Sequence, residues 1–401
     1  MKLIAIPEFK EYLIDAMFDC YKWDPEYSDF QTLAKYALVL SREEAKLIAN
    51  LTEDLDKETR AAEEFLNTHQ ELTKVLKIPR KIRKYLASMD NYDNTKHIRL
   101  MRYDFHPTTD GWQVSEVNSD VPGGFAEASL LPKLAIKYLK SDKYISIDFG
   151  EILSKRIQDK IKESGTIIFV HCTSFSDDRQ VMQFIGDKMS CSGYKSLYGA
   201  ADHVVFKNKK AISILDNNEG DVDCIFRFTP LEWLKDMKFN TWKGYFDTVT
   251  PSCNHPIAIY AQTKRFPLVF DILEKNNISM STWKKLLPET KEANFAQMDS
   301  SYIFKPAWGR VGEKIAIEGA CSKEEYESII KDVKRHPQNY VLQKKFISVP
   351  LDSEDGDFHI CLGSYTVDGR HAGFYARISK KARIDSDAKD CPVIIERGSI
   401  C

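Results

Sequence analysis

Arg102-Tyr-Asp104 and Glu116-Val-Asn118 are the residues of this chain whose types and spacing most directly suggest chemistry. Residues two apart on a strand point to the same face. Arg102 and Asp104 therefore share a face if His97–Phe105 is extended, and Glu116 and Asn118 do so if Trp112–Asn118 is. Pro107 to Gly111 reads as the loop between them, with Asp110-Gly111 as a strong turn signal. A hairpin centred near Asp110 sets Asp104 opposite Glu116 and Arg102 opposite Asn118, all on one side of a two-stranded ribbon. Two carboxylates facing each other across a ladder repel unless a cation lies between them. With an amide oxygen beside them they form an oxygen-rich site suited to Mg²⁺, phosphate oxygens and water completing the shell. Arg102 beside them suits a phosphate. A solvated hairpin face with one Arg–Asp pair uses the same residues, and a one-residue slip would scatter the group.

A second set lies some two hundred residues later. Ser301-Tyr-Ile-Phe-Lys305 reads as an apolar strand ending in a cation. A loop with Gly309, Arg310 and Gly312 follows, and then a strand at Lys314–Ile317. Glycine permits close backbone approach, so the loop suits a lid over phosphates whose charge Lys305 would neutralise. An ordinary hairpin turn with a surface lysine is the alternative. The P-loop spacing and the kinase glycine motif are both absent. Lys264 precedes Arg265-Phe-Pro267, at a helix entrance that favours an anion, although a solvated lysine is the plainer reading. Gln343 follows the apolar Tyr340-Val-Leu, on a strand edge that can offer backbone groups to a purine. Arg377 sits in a mostly apolar strand and needs an anion, either a nucleotide phosphate or a structural carboxylate. His106 and His359 read as structural, and the acidic run Asp352 to Asp357 as a solvated turn that could also attract a cationic amine.

These groups need a scaffold, and 401 residues supply two or three domains' worth of chain. The chain is 43% hydrophobic and 29% charged, which excludes disordered and low-complexity classes. A formal charge of -2 gives no global field favouring nucleic acid or an anionic membrane. No stretch approaches the roughly 18 apolar residues of a membrane helix. Met1 to Cys20 does not read as a signal peptide, and the nine cysteines contain no CxxC pair, so a cytoplasmic location is expected. Residues 1–95 read as a mainly helical layer. Ser41-Arg-Glu-Glu44 opens a helix running toward Leu76, with Pro79 where it should stop. Residues 96–255 read as an α/β region carrying the hairpin, including a strand at Thr166–Val170 and a helix near Asp178–Met189. Residues 256–401 turn from helix to a run of strands, as in an α+β domain.

Taken together the motifs resemble the glutathionylspermidine synthase-like family of ATP-grasp ligases. The Arg-x-Asp and Glu-x-Asn pair precede Lys305-Pro306 and Gly309-Arg310-Val311-Gly312 in the family's order, with Val311 where the loop usually carries Glu. The resemblance implies a circularly permuted ATP-grasp fold, its nucleotide held between two β-rich subdomains. It implies a carboxylate–amine ligase that works through an acylphosphate and releases ADP and phosphate. Asp104, Glu116 and Asn118 would hold Mg²⁺, as two ions, and Arg102 would touch the terminal phosphate. Lys264 and Lys305 would hold the α/β-phosphates of ATP under the Gly309–Gly312 loop, and Gln343 would border the adenine. Arg310 and Arg377 would stabilise the acylphosphate and the transition states after it. The implied partners are ATP, a small-molecule or peptide carboxylate and an amine acceptor, with neither nucleic acid nor membrane. A phosphotransferase or ATPase on the same fold, or a non-catalytic nucleotide-binding protein, are the competing readings.

Overall fold

A computed structural model describes residues 1–27, 30–89, 93–297, 299–309, 315, 317 and 321–398. Its centre is a five-stranded antiparallel sheet. The strand order is Lys389–Cys391, Arg370–Ser379, His359–Val367, Leu100–Thr108 and Gly111–Asn118. One face packs on the long helix Arg42–Thr68, where Tyr103, Phe105 and Met101 are fully buried. This sheet joins strands from either side of residue 255. The expected division there is thus crossed by backbone pairing between Leu100–Val367 and Phe105–Leu362.

The N-terminal region contains more than the expected helical layer. Lys2–Ala5 pairs antiparallel with Tyr36–Leu40, which in turn pairs in parallel with Val393–Glu396 near the other end of the chain. Tyr-Ala-Leu-Val-Leu is buried at all five positions. A short apolar run of this kind has no periodicity to distinguish strand from helix, and here it lies buried on both faces of a sheet. The capping box at Ser41 forms as expected, with Glu44 N donating to Ser41 Oγ at 3.1 Å and Ser41 N to Glu44 Oε2 at 2.9 Å. The helix ends at Thr68, well before Leu76. Thr68, His69 and Gln70 turn their side chains back onto the carbonyls of Phe65, Leu66 and Asn67, and Gln70–Leu76 tightens into a 3₁₀ helix. Pro79 caps the start of a new helix, Arg80–Leu86.

Two further layers matter for the site. Ser252–Cys253, Cys224–Arg227, Thr166–Val170 and Lys195–Gly199 form a parallel sheet, with Ser176–Cys191 as the crossover helix. Thr290–Glu292, Tyr340–Lys344 and Tyr302–Pro306 form a small antiparallel sheet. The helix Lys323–Arg335 covers it, its N-terminus held by Ser322. Phe304, Tyr340 and Leu342 meet Ile329 and Val333 in a core of their own. Alternation along Tyr302–Pro306 sends Phe304 into that core and Ile303 and Lys305 to the opposite face. Among the described residues no helix is long and apolar enough to cross a membrane.

Candidate functional site

The hairpin register places the four polar residues as the spacing predicts, by an unexpected route. The turn is Thr109-Asp110, with Thr108 opposite Gly111, and Gly111 takes a φ of 91°. Continued without interruption, that pairing would set Asp104 opposite Ser115. A bulge between Asp104 and Phe105 absorbs Ser115 and restores Asp104 opposite Glu116 and Arg102 opposite Asn118. The displaced Ser115 takes His106 Nε2 as a partner at 3.0 Å and turns its carbonyl to Lys305 Nζ at 3.3 Å. His106, buried beside Lys305, is pushed down to about 4, by burial first and the lysine second, and so is neutral near pH 7. His359 is bonded to Ser348.

The two facing carboxylates each have an organic cation. Arg102 forks onto Asp104 at 2.7 and 3.0 Å and donates to the Gly123 carbonyl at 3.0 Å. Its guanidinium lies 5.0 Å from the centre of the Tyr375 ring. It crosses Gly363 so closely that a Cβ there would stand 2.7 Å from Arg102 Cδ. Asn118 Nδ2 donates to Asp104 Oδ2 at 3.0 Å. Glu116 receives Lys264 Nζ at 3.0 Å. Burial alone would push Glu116 up; Lys264 and Lys305 overcome it and hold the carboxyl down at about 2. Burial pulls the Lys305 ammonium down to about 8, with Glu116 opposing.

Arg102, Asp104, Glu116, Asn118, Lys305 and Arg377 line one cavity of about 580 Å³. Lys264 and Gln343 meet Glu116 and Lys305 across a smaller cavity of about 30 Å³ on the other side. Gln343 donates to Thr290 Oγ1 at 2.9 Å, and its buried Oε1 has no partner among the described residues. Lys264 also donates to the Gly309 carbonyl. It lies just ahead of the 3₁₀ turn Phe266–Val269, which contains Pro267. At the wall of the larger cavity, Arg377 Nη2 donates to the carbonyls of Asp385 and Ala388, and Asp390 lies opposite it in register. Arg310, Val311, Gly312 and the expected strand from Lys314 lie outside the described residues, apart from Ile315 and Ile317.

Sequence reasoning missed the far end of the cavity. Lys22 bridges Glu127 at 3.0 Å and Asp390 at 2.7 Å, all three buried. Burial opposes the Lys22 ammonium, but the two carboxylates hold it above the ordinary lysine range. Glu127 is the lone charged residue in Phe125-Ala-Glu127-Ala-Ser, and a carboxylate in an apolar helix was the available signal. Lys22 and Asp390 carried none. Asp104, Glu116 and Asn118 together offer two carboxylates and an amide oxygen on one ribbon face, a donor set that fits a hard divalent cation.

The sheets and helices make a mixed α+β protein, consistent with an ATP-grasp-like class. The model of the glutathionylspermidine synthase preATP-grasp family matches residues 16–396, and the chain belongs to that family. A glutathione synthetase-like effector from Globodera pallida, solved without ligand, has a similar structure. Its TM-score is 0.64 at 13% identity, over 97% of this chain and 99% of that one. A putative gamma-glutamylcysteine synthetase from Methylobacillus flagellatus has a TM-score of 0.45 at 12% identity, over 82% and 87% of the two chains. No curated protein matches the chain. The family points to ligase activity of the ATP-grasp type.

Proposed function

We propose that the protein is an ATP-dependent carboxylate–amine ligase that forms an amide or peptide bond through an acylphosphate. The observation that carries this reading is the hairpin register. It gathers Arg102, Asp104, Glu116 and Asn118 at one cavity wall, with Lys305 beside them and Lys264 3.0 Å from Glu116. Three oxygen donors and three cations are a charge distribution suited to a metal-bound triphosphate. Asp104, Glu116 and Asn118 would hold Mg²⁺, as two ions, which when bound would offset the charge of the triphosphate.

The chain's own groups then have separable tasks. Arg102, already forked on Asp104, orients toward the terminal phosphate. Lys264 and Lys305 hold the α/β-phosphates, and Gln343 borders the base. The substrate carboxylate attacks the γ-phosphorus, ADP leaves, and the amine displaces phosphate through a tetrahedral intermediate. Arg377 and Arg310 offset the charge on the acylphosphate and on that intermediate. The Gly309–Gly312 loop excludes water that would hydrolyse it. The permuted order and the division of tasks between hairpin and lysines belong to the same proposal.

The test is a screen of acid–amine pairs for Mg²⁺-dependent phosphate release, with mass spectrometry of the products. ADP formation that needs both an acid and an amine, with a product lighter by water than their sum, is the expected result. A phosphorylated acid that accumulates and persists when amine is supplied would replace the ligase reading with a phosphotransferase.

A further inference from the structure

Asn118 ends the second hairpin strand, and the two residues after it turn into the fold. Ser119 and Asp120 are 0% and 1% exposed. Asn254 ties them to the first strand: its Nδ2 donates to the carbonyls of Ser119, Asp120 and Leu100, and its Oδ1 accepts from Leu100 N at 2.6 Å. The Asp120 carboxylate is gripped by Arg227 and by Leu231 N at 2.8 Å. The Ser119 carbonyl also takes Arg99. That accounts for the carboxylate and both carbonyls; the two backbone N–H groups remain. Both donate to one atom, Gln262 Oε1, at 2.9 and 2.8 Å.

Gln262 lies two residues before Lys264. The intervening Thr263 donates its hydroxyl to the Ala307 carbonyl at 3.3 Å, and Lys264 N donates to the same carbonyl at 2.9 Å. Ala307 follows Lys305-Pro306 on the small sheet. A three-residue segment therefore bridges the hairpin and the strand of Lys305, held to the hairpin by the Gln262 amide at one end and by the Lys264–Glu116 ion pair at the other. Gln262 also lines the small cavity with Glu116, Lys264 and Lys305.

We infer that Gln262 is a positioning residue, which fixes the Lys264 ammonium relative to the Glu116–Asn118 end of the hairpin by accepting the Ser119 and Asp120 N–H groups. The inference rests on the ATP-site reading above. Its consequence is that Gln262 acts on nucleotide binding through Lys264.

Calorimetric titration of Mg·ATP into wild type, Gln262→Met, Lys264→Ala and the double variant tests this. Gln262→Met removes the acceptor at similar volume and is expected to weaken binding about tenfold, while Gln262→Glu keeps the accepting oxygen and stays within about threefold. Once Lys264 is alanine, adding Gln262→Met should change affinity by less than about twofold. Losses that multiply in the double variant would overturn the inference. So would a tenfold loss in Gln262→Glu, which remains informative if Gln262→Met does not fold. If the wild type itself fails to bind Mg·ATP, the ATP-site reading is what has failed, and the inference falls with it.

Discussion

The hairpin and the small sheet hold the two halves of the site in different ways. The hairpin is part of the main core. Tyr103, Phe105 and Val114 are buried at 0% exposure, and the strands continue into the central sheet. Lys305 arrives on a sheet of three short strands with a separate core around Phe304, Ile329 and Val333. A charge placed by the main core inherits the register of a whole sheet. A charge placed by a small satellite core depends on how that satellite is docked. Asp104, Glu116 and Asn118 thus sit on the main core, and Lys305 on the satellite one.

The largest expected effect removes a charge from either half. Lys305→Ala and Glu116→Ala should each lower ATP turnover by roughly a hundredfold or more, with circular dichroism unchanged. Near-normal turnover in either would dissolve the assignment of that half. The next prediction addresses the cores. Phe304→Ala should cost about 3–5 kcal/mol of local stability. Hydrogen exchange should then accelerate in Tyr302–Pro306 and Tyr340–Lys344 while Leu100–Asn118 keeps its protection. If both segments lose protection together, the two halves form one cooperative unit and the contrast is wrong. Smaller still is Gly363→Ala. The added methyl must displace Arg102 from its course across the strand, and a misplacement of this kind should lower turnover by about tenfold, more than it lowers the melting temperature. Unchanged turnover would mean that Arg102 need not lie where it does.

The hairpin was the more legible half because strand alternation is a local rule, so residues two apart share a face whatever the rest of the fold does. The agreement still depended on a bulge at Ser115 that no residue type announced, since the turn itself lies half a residue from the expected centre. Lys305 was legible as a strand-end cation, but its burial depends on Phe304 facing the other way into a core supplied by residues 329 to 342. The Lys22–Glu127–Asp390 group was illegible in two of its three members because it joins positions up to 368 residues apart. The strand Tyr36–Leu40 was missed for the same reason, its parallel partner Val393–Glu396 lying near the far end of the chain.

The smallest expected effect is a proton count. Burial holds Lys305 at about 8, below its ordinary 10.5. Between those values the unfolded chain keeps a proton that the folded chain has released, so this group lets stability rise with pH across that window. Glu116 works at the other end: held at about 2 against an ordinary 4.5, it contributes stability above 4.5 that is lost as pH falls toward 2. A bound triphosphate reverses the balance at Lys305, because it favours the charged ammonium over the neutral amine. Mg·ATP binding near pH 8 should therefore take up a fraction of a proton, and affinity should decline as pH rises above 8. Calorimetry in two buffers of different ionisation enthalpy reads that uptake directly, after subtraction of the nucleotide's own linkage at the same pH. Lys305→Met should abolish the remainder. A proton uptake that survives in Lys305→Met would place the titrating group elsewhere, and the small sheet would then deliver no buried cation to the phosphates.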